Sequence, residues 1–177
     1  MERIASRVVY EGRIATVRID EFRHADETTA EREVVGHPGA VAIVAHDADT
    51  LFLVRQPREA VGEESLLELP AGKLDVEGEG PLECARRELV EEIGREAGEW
   101  REMKRFYTTP GFAEEEVTVF EATGLEAVDH DPDPEERIEV VEWPLADLDG
   151  AIAECRDSKS LIGMLLLRKS LAGSRDG

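Results

Sequence analysis

The chain has 177 residues, 41% of them hydrophobic, which suits one domain with an added lobe and is too short for two large domains. No apolar run approaches the roughly 18 residues of a membrane span, and Glu2, Arg3, Arg7, Glu11 and Arg13 interrupt the first segment, so neither a membrane helix nor a secretory signal is expected and the protein reads as cytoplasmic. A formal charge of −20, from 41 acidic against 21 basic residues, argues against nucleic acid as a partner and disfavours an anionic substrate unless bound cations reverse the sign locally.

In chain order, Arg7 to Tyr10 and Ile14 to Phe22 alternate apolar and polar residues about the Glu11-Gly12 turn, as two strands do. His24 to Glu33 is a polar stretch. After the Gly36-His37-Pro38-Gly39 turn, the apolar runs Ala40 to Ala45 and Leu51 to Gln56 flank a polar connection and read as a hairpin that opens the main sheet. Gly78 to Pro81 breaks the chain before Leu82 to Ile93, where Leu82, Ala85, Leu89 and Ile93 recur at helical spacing and Gly94 supplies the stop. Val117 to Ala122 and Ile138 to Trp143 read as strands on either side of the acidic loop Val128 to Arg137. Leu145 to Cys155 and Ser158 to Leu171 read as two helices, the second packing through Leu161, Met164, Leu165 and Arg168. This mixed order predicts an α+β or α/β sandwich.

Glu88, Glu91 and Glu92 stand at i, i+3 and i+4, so three like charges crowd one helix face beside the Ala85, Leu89, Ile93 stripe. Glu91 and Glu92 also fall in the last turn, where the helix dipole disfavours anions by about 0.3 to 1 kcal/mol each. A divalent cation would remove both penalties, since hard cations such as Mg2+ favour carboxylate and carbonyl oxygens. Spacing alone leaves a plain solvated acidic face as the alternative.

The run from Gly72 to Gly94, with Glu79, Arg87-Glu88-Leu89 and Glu91-Glu92 at fixed intervals, resembles the Nudix box, G-x5-E-x7-R-E-U-x-E-E-x-G-U with U aliphatic. It departs twice: six residues separate Gly72 from Glu79, and Arg95 stands where an aliphatic residue is expected. The resemblance implies a Nudix-type α/β/α sandwich and hydrolysis of a nucleoside diphosphate linked to another group. It also implies Glu88 and Glu92 as principal metal ligands and Glu91 as ligand or water-orienting carboxylate. Arg87 would orient those carboxylates, reaching Glu91 at i+4, and the carbonyl of Ala71 would be a further ligand. The metal would be Mg2+, with Mn2+ as the alternative; once bound it would neutralise the pyrophosphate and so resolve the charge problem.

Within the family, Pro110 in Tyr107-Thr108-Thr109-Pro110-Gly111-Phe112, 16 residues beyond Gly94, resembles the ADP-ribose pyrophosphatase branch. Gln56-Pro57-Arg58 and Glu68-Leu69-Pro70-Ala71-Gly72 resemble the Q-x-R and E-L-P-A-G segments of that branch. Arg58, Glu68, Pro110 and Phe112 are thereby substrate-binding candidates, Arg58 as a phosphate clamp or, in the plainer reading, a surface ion-pair partner. The branch also implies that residues 1–38 form an N-terminal strand lobe that builds a homodimer and residues 39–177 the catalytic domain; the alternation of the N-terminal strands would leave apolar positions such as Val17 and Ile19 exposed on a lone subunit. Its acidic loop carries an E-x-E pair; here Pro134, Glu135 and Glu136 correspond, so Glu136 is the candidate base or metal ligand.

Asp129, Asp131 and Asp133 alternate as in a calcium loop, but Pro134 and Val140 occupy positions that require glycine and glutamate, which rejects an EF-hand. The four histidines lack zinc-type spacing, and Cys84 and Cys155 suit two reduced, buried residues. The expected activity is Mg2+-dependent cleavage of ADP-ribose to AMP and ribose 5-phosphate. Another nucleotide sugar or a dinucleotide is the alternative substrate, and a non-catalytic ADP-ribose sensor the alternative class, against which the intact Arg87, Glu88, Glu91, Glu92 set argues.

Overall fold

A computed structural model describes residues 1–129 and 137–173. The fold is α+β, and its contacts divide it into two compact units, one of Met1–Gly39 with Phe106–Glu116 and the other of Ala40–Arg105 with Val117–Gly177.

The smaller unit is built on an antiparallel sheet of β1 (Glu2–Glu11), β2 (Thr16–Arg23) and β3 (Thr29–Gly36), in the order β1-β2-β3. The polar stretch expected from His24 to Glu33 is a turn only as far as Thr28, where the His24 N–H donates to the Thr28 carbonyl. From Thr29 the chain is a strand whose charged Glu31, Arg32 and Glu33 sit opposite Glu21, Asp20 and Ile19 of β2. Register with a neighbouring strand outweighs the low strand propensity of those residues. Val17 and Ile19 are half-buried rather than exposed; the open apolar side chains are Val8, Val9, Tyr10 and Ile14. Loop Pro110–Glu114 is tied to β3, with Val35 N–H donating to Phe112 O at 2.8 Å and Glu114 N–H to Val35 O at 3.0 Å.

In the larger unit, β4 (Ala40–His46) and β5 (Thr50–Arg58) pair antiparallel, as the hairpin reading predicts. Around them lie β6 (Glu63–Glu68), β7 (Ala71–Lys73), β8 (Arg95–Tyr107), β9 (Glu116–Ala127) and β10 (Glu139–Pro144), giving a mixed sheet in the order β10-β5-β4-β9-β8 with β6 on β5 and β7 on β4. β4 and β9 run parallel. Pattern alone does not reveal β8, because Ala97, Trp100, Met103 and Phe106 recur every three residues amid charges, without the alternation of a half-buried strand.

Alternation along β4 splits the core into two layers. Val41, Ile43 and Ala45 join Phe52, Val54, Phe120 and Ala122 against Cys84, Ala85, Leu89 and Ile93 of α1 (Pro81–Ile93). On the opposite face lies α3 (Ser158–Gly173), preceded by a 3-10 turn at Leu145–Asp147 and α2 (Leu148–Glu154). A Cβ on Gly163 would fall 2.5 Å from Leu69 Cδ1 and 3.0 Å from Val44 Cγ2, so the helix lies tight on the sheet there. The buried face of α3 is Ser160, Gly163, Met164 and Leu167, not the expected Leu161, Met164, Leu165, Arg168 series. Small residues let the helix approach, and Leu165 faces outward instead, 41% exposed. No helix among the described residues is long and apolar enough to cross a membrane.

Candidate active site

Helix α1 begins with Pro81 in its first turn and ends at Gly94, whose φ of 63° admits the left-handed conformation and whose N–H closes the helix on Leu89 and Val90 carbonyls. These ends fix which way Arg87, Glu88, Glu91 and Glu92 point. Strand β7 pairs with β4, setting Ala71 and Gly72 opposite Ala42 and Val41 and beneath the helix.

Two carboxylates meet at that backbone. Glu92 accepts the Ala71 N–H at 3.0 Å through Oε2. A Cβ on Gly72 would lie 2.0 Å from the Glu88 Cδ and Oε1, so glycine leaves the cradle that the Glu88 carboxylate fills. Glu92 is buried, 7% exposed, with the apolar residues of α1, while the Glu91 side chain is 48% exposed. The single crowded face expected from spacing is therefore split: Glu92 turns inward to the β7 backbone and Glu91 stays at the surface.

Arg87 organises the rest. Its Nε and Nη2 donate to the two oxygens of Glu79 at 2.9 and 3.0 Å, and its Nη1 donates to Glu88 Oε1 and Glu91 Oε2 at 2.8 Å each. These hydrogen bonds, that of Glu79 foremost, push the guanidinium further above the ordinary arginine range, and the Arg87 hydrogen bonds hold the Glu79 carboxyl below the usual carboxylate range. Glu79 was legible as a fixed motif position, but its task was not. The extra residue before it is absorbed in a turn, where Gly78 has φ of 83° and the Glu79 N–H returns to the Val76 carbonyl. Arg95, the second departure, lies 4.2 Å over the Phe52 ring and 3.5 Å from Glu142, covering core with its guanidinium where an aliphatic residue would do so by bulk.

Arg58 and Glu68 come together as a two-bond pair, Nε to Oε1 at 2.6 Å and Nη2 to Oε2 at 2.9 Å, with the Glu68 side chain 1% exposed. Lys159 of α3, unseen in the sequence, donates to the same Glu68 Oε2 at 2.5 Å and to Asp157 at 3.0 Å. Burial pushes the Glu68 carboxyl up, but the Arg58 hydrogen bonds and the Lys159 charge outweigh it and hold it below the ordinary range. Pro110 and Phe112 belong to the smaller unit, where they line a cavity of about 580 Å3 with Arg3, Arg18 and Asp20. Glu136 lies outside the described residues, as do Asp131, Asp133, Pro134 and Glu135.

The donor set on the β7–α1 side is oxygen only, the chemistry a hard divalent cation takes, and the Gly72 cradle keeps the Glu88 carboxylate against the loop. Among the described residues no three His, Cys, Asp or Glu side chains already form a metal-ligand cluster. Cys84 and Cys155 are free and buried; burial pushes the Cys84 thiol up to about 12, which leaves it a packing residue and not a nucleophile.

A mixed sheet between helices, with carboxylates gathered over a backbone loop and strapped by one arginine, is the framework of a hydrolase that cleaves phosphoanhydride bonds. Residues 36–160 match the NUDIX domain, and the chain belongs to that family. It is 35% identical over 170 residues to a methanol dehydrogenase activator of Bacillus methanolicus, covering 93% of this chain and 91% of that protein. It is 45% identical over 128 residues to an ADP-ribose pyrophosphatase of Mycobacterium tuberculosis, covering 72% of this chain and 61% of that one. A GDP-mannose pyrophosphatase of Citrobacter koseri is 32% identical over 160 residues, 84% of this chain and 83% of its own length. A crystal structure of an ADP compounds hydrolase superposes with a TM-score of 0.84 at 25% identity, covering 98% of this chain and 95% of that one. The protein is thus a Nudix pyrophosphatase acting on a nucleotide or nucleotide-sugar substrate, and membership of the family implies a divalent metal cofactor.

Proposed function

We propose that the protein hydrolyses ADP-ribose to AMP and ribose 5-phosphate with Mg2+, in the cytoplasm, as a homodimer built through residues 1–38, with residues 39–177 catalytic. The observation that carries the catalytic reading is the meeting of Glu88 and Glu92 at the Ala71-Gly72 backbone under the hold of Arg87. The 45% identity to an ADP-ribose pyrophosphatase supports the substrate. The exposed Val8, Val9 and Tyr10 of β1 support the dimer.

Glu88, Glu92 and the Ala71 carbonyl would hold the metal, with Glu91 as a further ligand or a water-orienting group. A divalent cation held by these groups would supply charge neutralisation of the pyrophosphate, polarisation at phosphorus and a lowered pKa for the attacking water. Arg87 holds Glu88 and Glu91 in place through charge-assisted hydrogen bonds, and Arg58, kept at the site by Glu68, binds a substrate phosphate. Pro110 and Phe112 contact substrate, and Glu136 acts as base or ligand once substrate is bound.

The test is turnover of ADP-ribose, GDP-mannose and a dinucleotide with and without Mg2+, with products separated by chromatography and repeated for Glu92→Gln, Glu135→Gln and Glu136→Gln. The expected result is AMP from ADP-ribose as the fastest reaction, dependent on Mg2+ and lowered by orders of magnitude in Glu92→Gln. Faster turnover of GDP-mannose would move the assignment to that sugar nucleotide; no turnover of any member would favour a sensor. Damage greater in Glu135→Gln than in Glu136→Gln would shift the base by one residue.

A further inference from the structure

Lys159 breaks two local preferences at once. It is the second residue of α3, where the positive end of the helix dipole disfavours a cation, and its side chain is only 15% exposed, where an ammonium loses hydration. Residues that contradict local preference are retained when the tertiary structure uses them. The partners here are specific. Its Nζ donates to Glu68 Oε2 and to Asp157 Oδ2, and the same Asp157 oxygen accepts the N–H and hydroxyl of Ser160 at 3.0 and 2.6 Å, capping the helix. The Ser160 Oγ in turn accepts the Leu69 N–H at 2.8 Å, next to Glu68. Arg58 is thus joined through Glu68 to the first turn of α3 by an unbroken set of hydrogen bonds.

The charges in this set are balanced, Arg58 and Lys159 against Glu68 and Asp157. Without Lys159, Glu68 would answer to Arg58 alone, and the set would become net negative in a protein that already carries −20. Arg58 is 41% exposed in its side chain, so it is the member of the set that faces solvent, and its charge interacts with Asp157 and Glu92 as well as Glu68. Its guanidinium therefore lies within electrostatic reach of the carboxylate that meets the Ala71 backbone.

We propose that Lys159 is a positioning residue for substrate binding: by sharing the Glu68 carboxylate it keeps the Arg58 guanidinium oriented and incompletely neutralised, and so able to hold a substrate phosphate. Asp157 opposes it, drawing part of the Lys159 charge away from Glu68. This inference rests on the reading of Arg58 as a phosphate clamp and adds to it a setting of substrate affinity from the other face of the sheet.

The two residues make opposite predictions. Steady-state kinetics with ADP-ribose at saturating Mg2+ should show Lys159→Met raising KM about tenfold while kcat stays within about twofold. Lys159→Arg should restore most of the wild-type KM. Asp157→Asn keeps a helix-capping side chain but removes the opposing charge, so it should lower KM by about threefold. KM unchanged in Lys159→Met, or KM moved in the same direction by both substitutions, overturns the proposal, because a merely structural contact has no reason to respond to the sign of charge. If Lys159→Met does not fold, Asp157→Asn decides alone, and an unchanged or raised KM overturns it. Arg58→Gln separates the two layers. A raised KM there with an unaffected Lys159→Met removes the positioning role and leaves the clamp, whereas an unaffected Arg58→Gln removes both.

Discussion

Arg87 grips Glu79 with two parallel hydrogen bonds, of 2.9 and 3.0 Å, across the turn that precedes the helix. The grip fixes the guanidinium plane, and that plane sets where Nη1 can reach Glu88 and Glu91. Lysine has the charge but not the fork. Arg87→Lys should fold normally and lose roughly 10- to 100-fold in kcat, the usual scale for losing a residue that orients ligands. Circular dichroism and kcat measured together check this; near-normal kcat would mean that Glu79 and Arg87 serve only the turn.

Gly72 makes a sharper case. A methyl group there would overlap the Glu88 carboxylate at 2.0 Å and its Cγ at 2.2 Å, so the whole Glu88 side chain must turn away, a rotamer change that displaces the carboxylate and leaves the backbone of the fold in place. Gly72→Ala should therefore separate activity from stability, with a melting temperature close to wild type and turnover down by at least about tenfold, as expected when a positioned group is displaced. Unchanged turnover would show that Glu88 has no required position over the loop.

At Gly163 the obstacle is the core itself. The added Cβ of Gly163→Ala meets Leu69 Cδ1 at 2.5 Å and Val44 Cγ2 at 3.0 Å, so α3 must lift or the side chains must leave their rotamers. Urea unfolding should show a loss of about 1–3 kcal/mol, the range for overpacking, although alanine is the better helix former. A gain in stability would mean that α3 has slack against the sheet.

Acid should unfold the protein through Asp20, Glu68 and Asp157. In each, burial pushes the carboxyl up, but hydrogen bonds and neighbouring charge, from Ser6 and Arg18, from Arg58 and Lys159, and from Lys159 and Ser160, hold it below its ordinary value. With the folded pKa below the unfolded one, the unfolded chain binds more protons between the two. The contribution is complete above the unfolded value, about pH 4, and is lost as pH falls through the folded value. Melting temperature measured against pH should decline below about pH 4 and decline less steeply in Glu68→Gln and Asp157→Asn, whatever their effect at neutral pH. An acid limb unaltered by both substitutions would place the sensitivity elsewhere.

The sequence by itself determined the elements whose signals are local. The α1 boundaries follow from Pro81, the Leu82-Ala85-Leu89-Ile93 spacing and Gly94, the β4–β5 hairpin from two apolar runs about a polar turn, and the Arg87–Glu91 contact from a separation of four on a helix. What the tertiary structure decided is set by partners distant in the chain. β3 and β8 carry charges that no strand pattern announces, and they are strands because neighbouring strands take up their backbone hydrogen bonds. Spacing alone put Glu92 on one face with Glu88 and Glu91, and only β7, by offering it the Ala71 N–H, turned it inward; Arg58 had no visible partner until the fold placed Glu68, 10 residues away, and Lys159, 91 residues from Glu68, about one carboxylate. Periodicity records which way a side chain points along its own element. Which buried charge it meets there depends on how the elements pack, and burial makes that meeting necessary, because an unpaired charge is too costly to leave in the core.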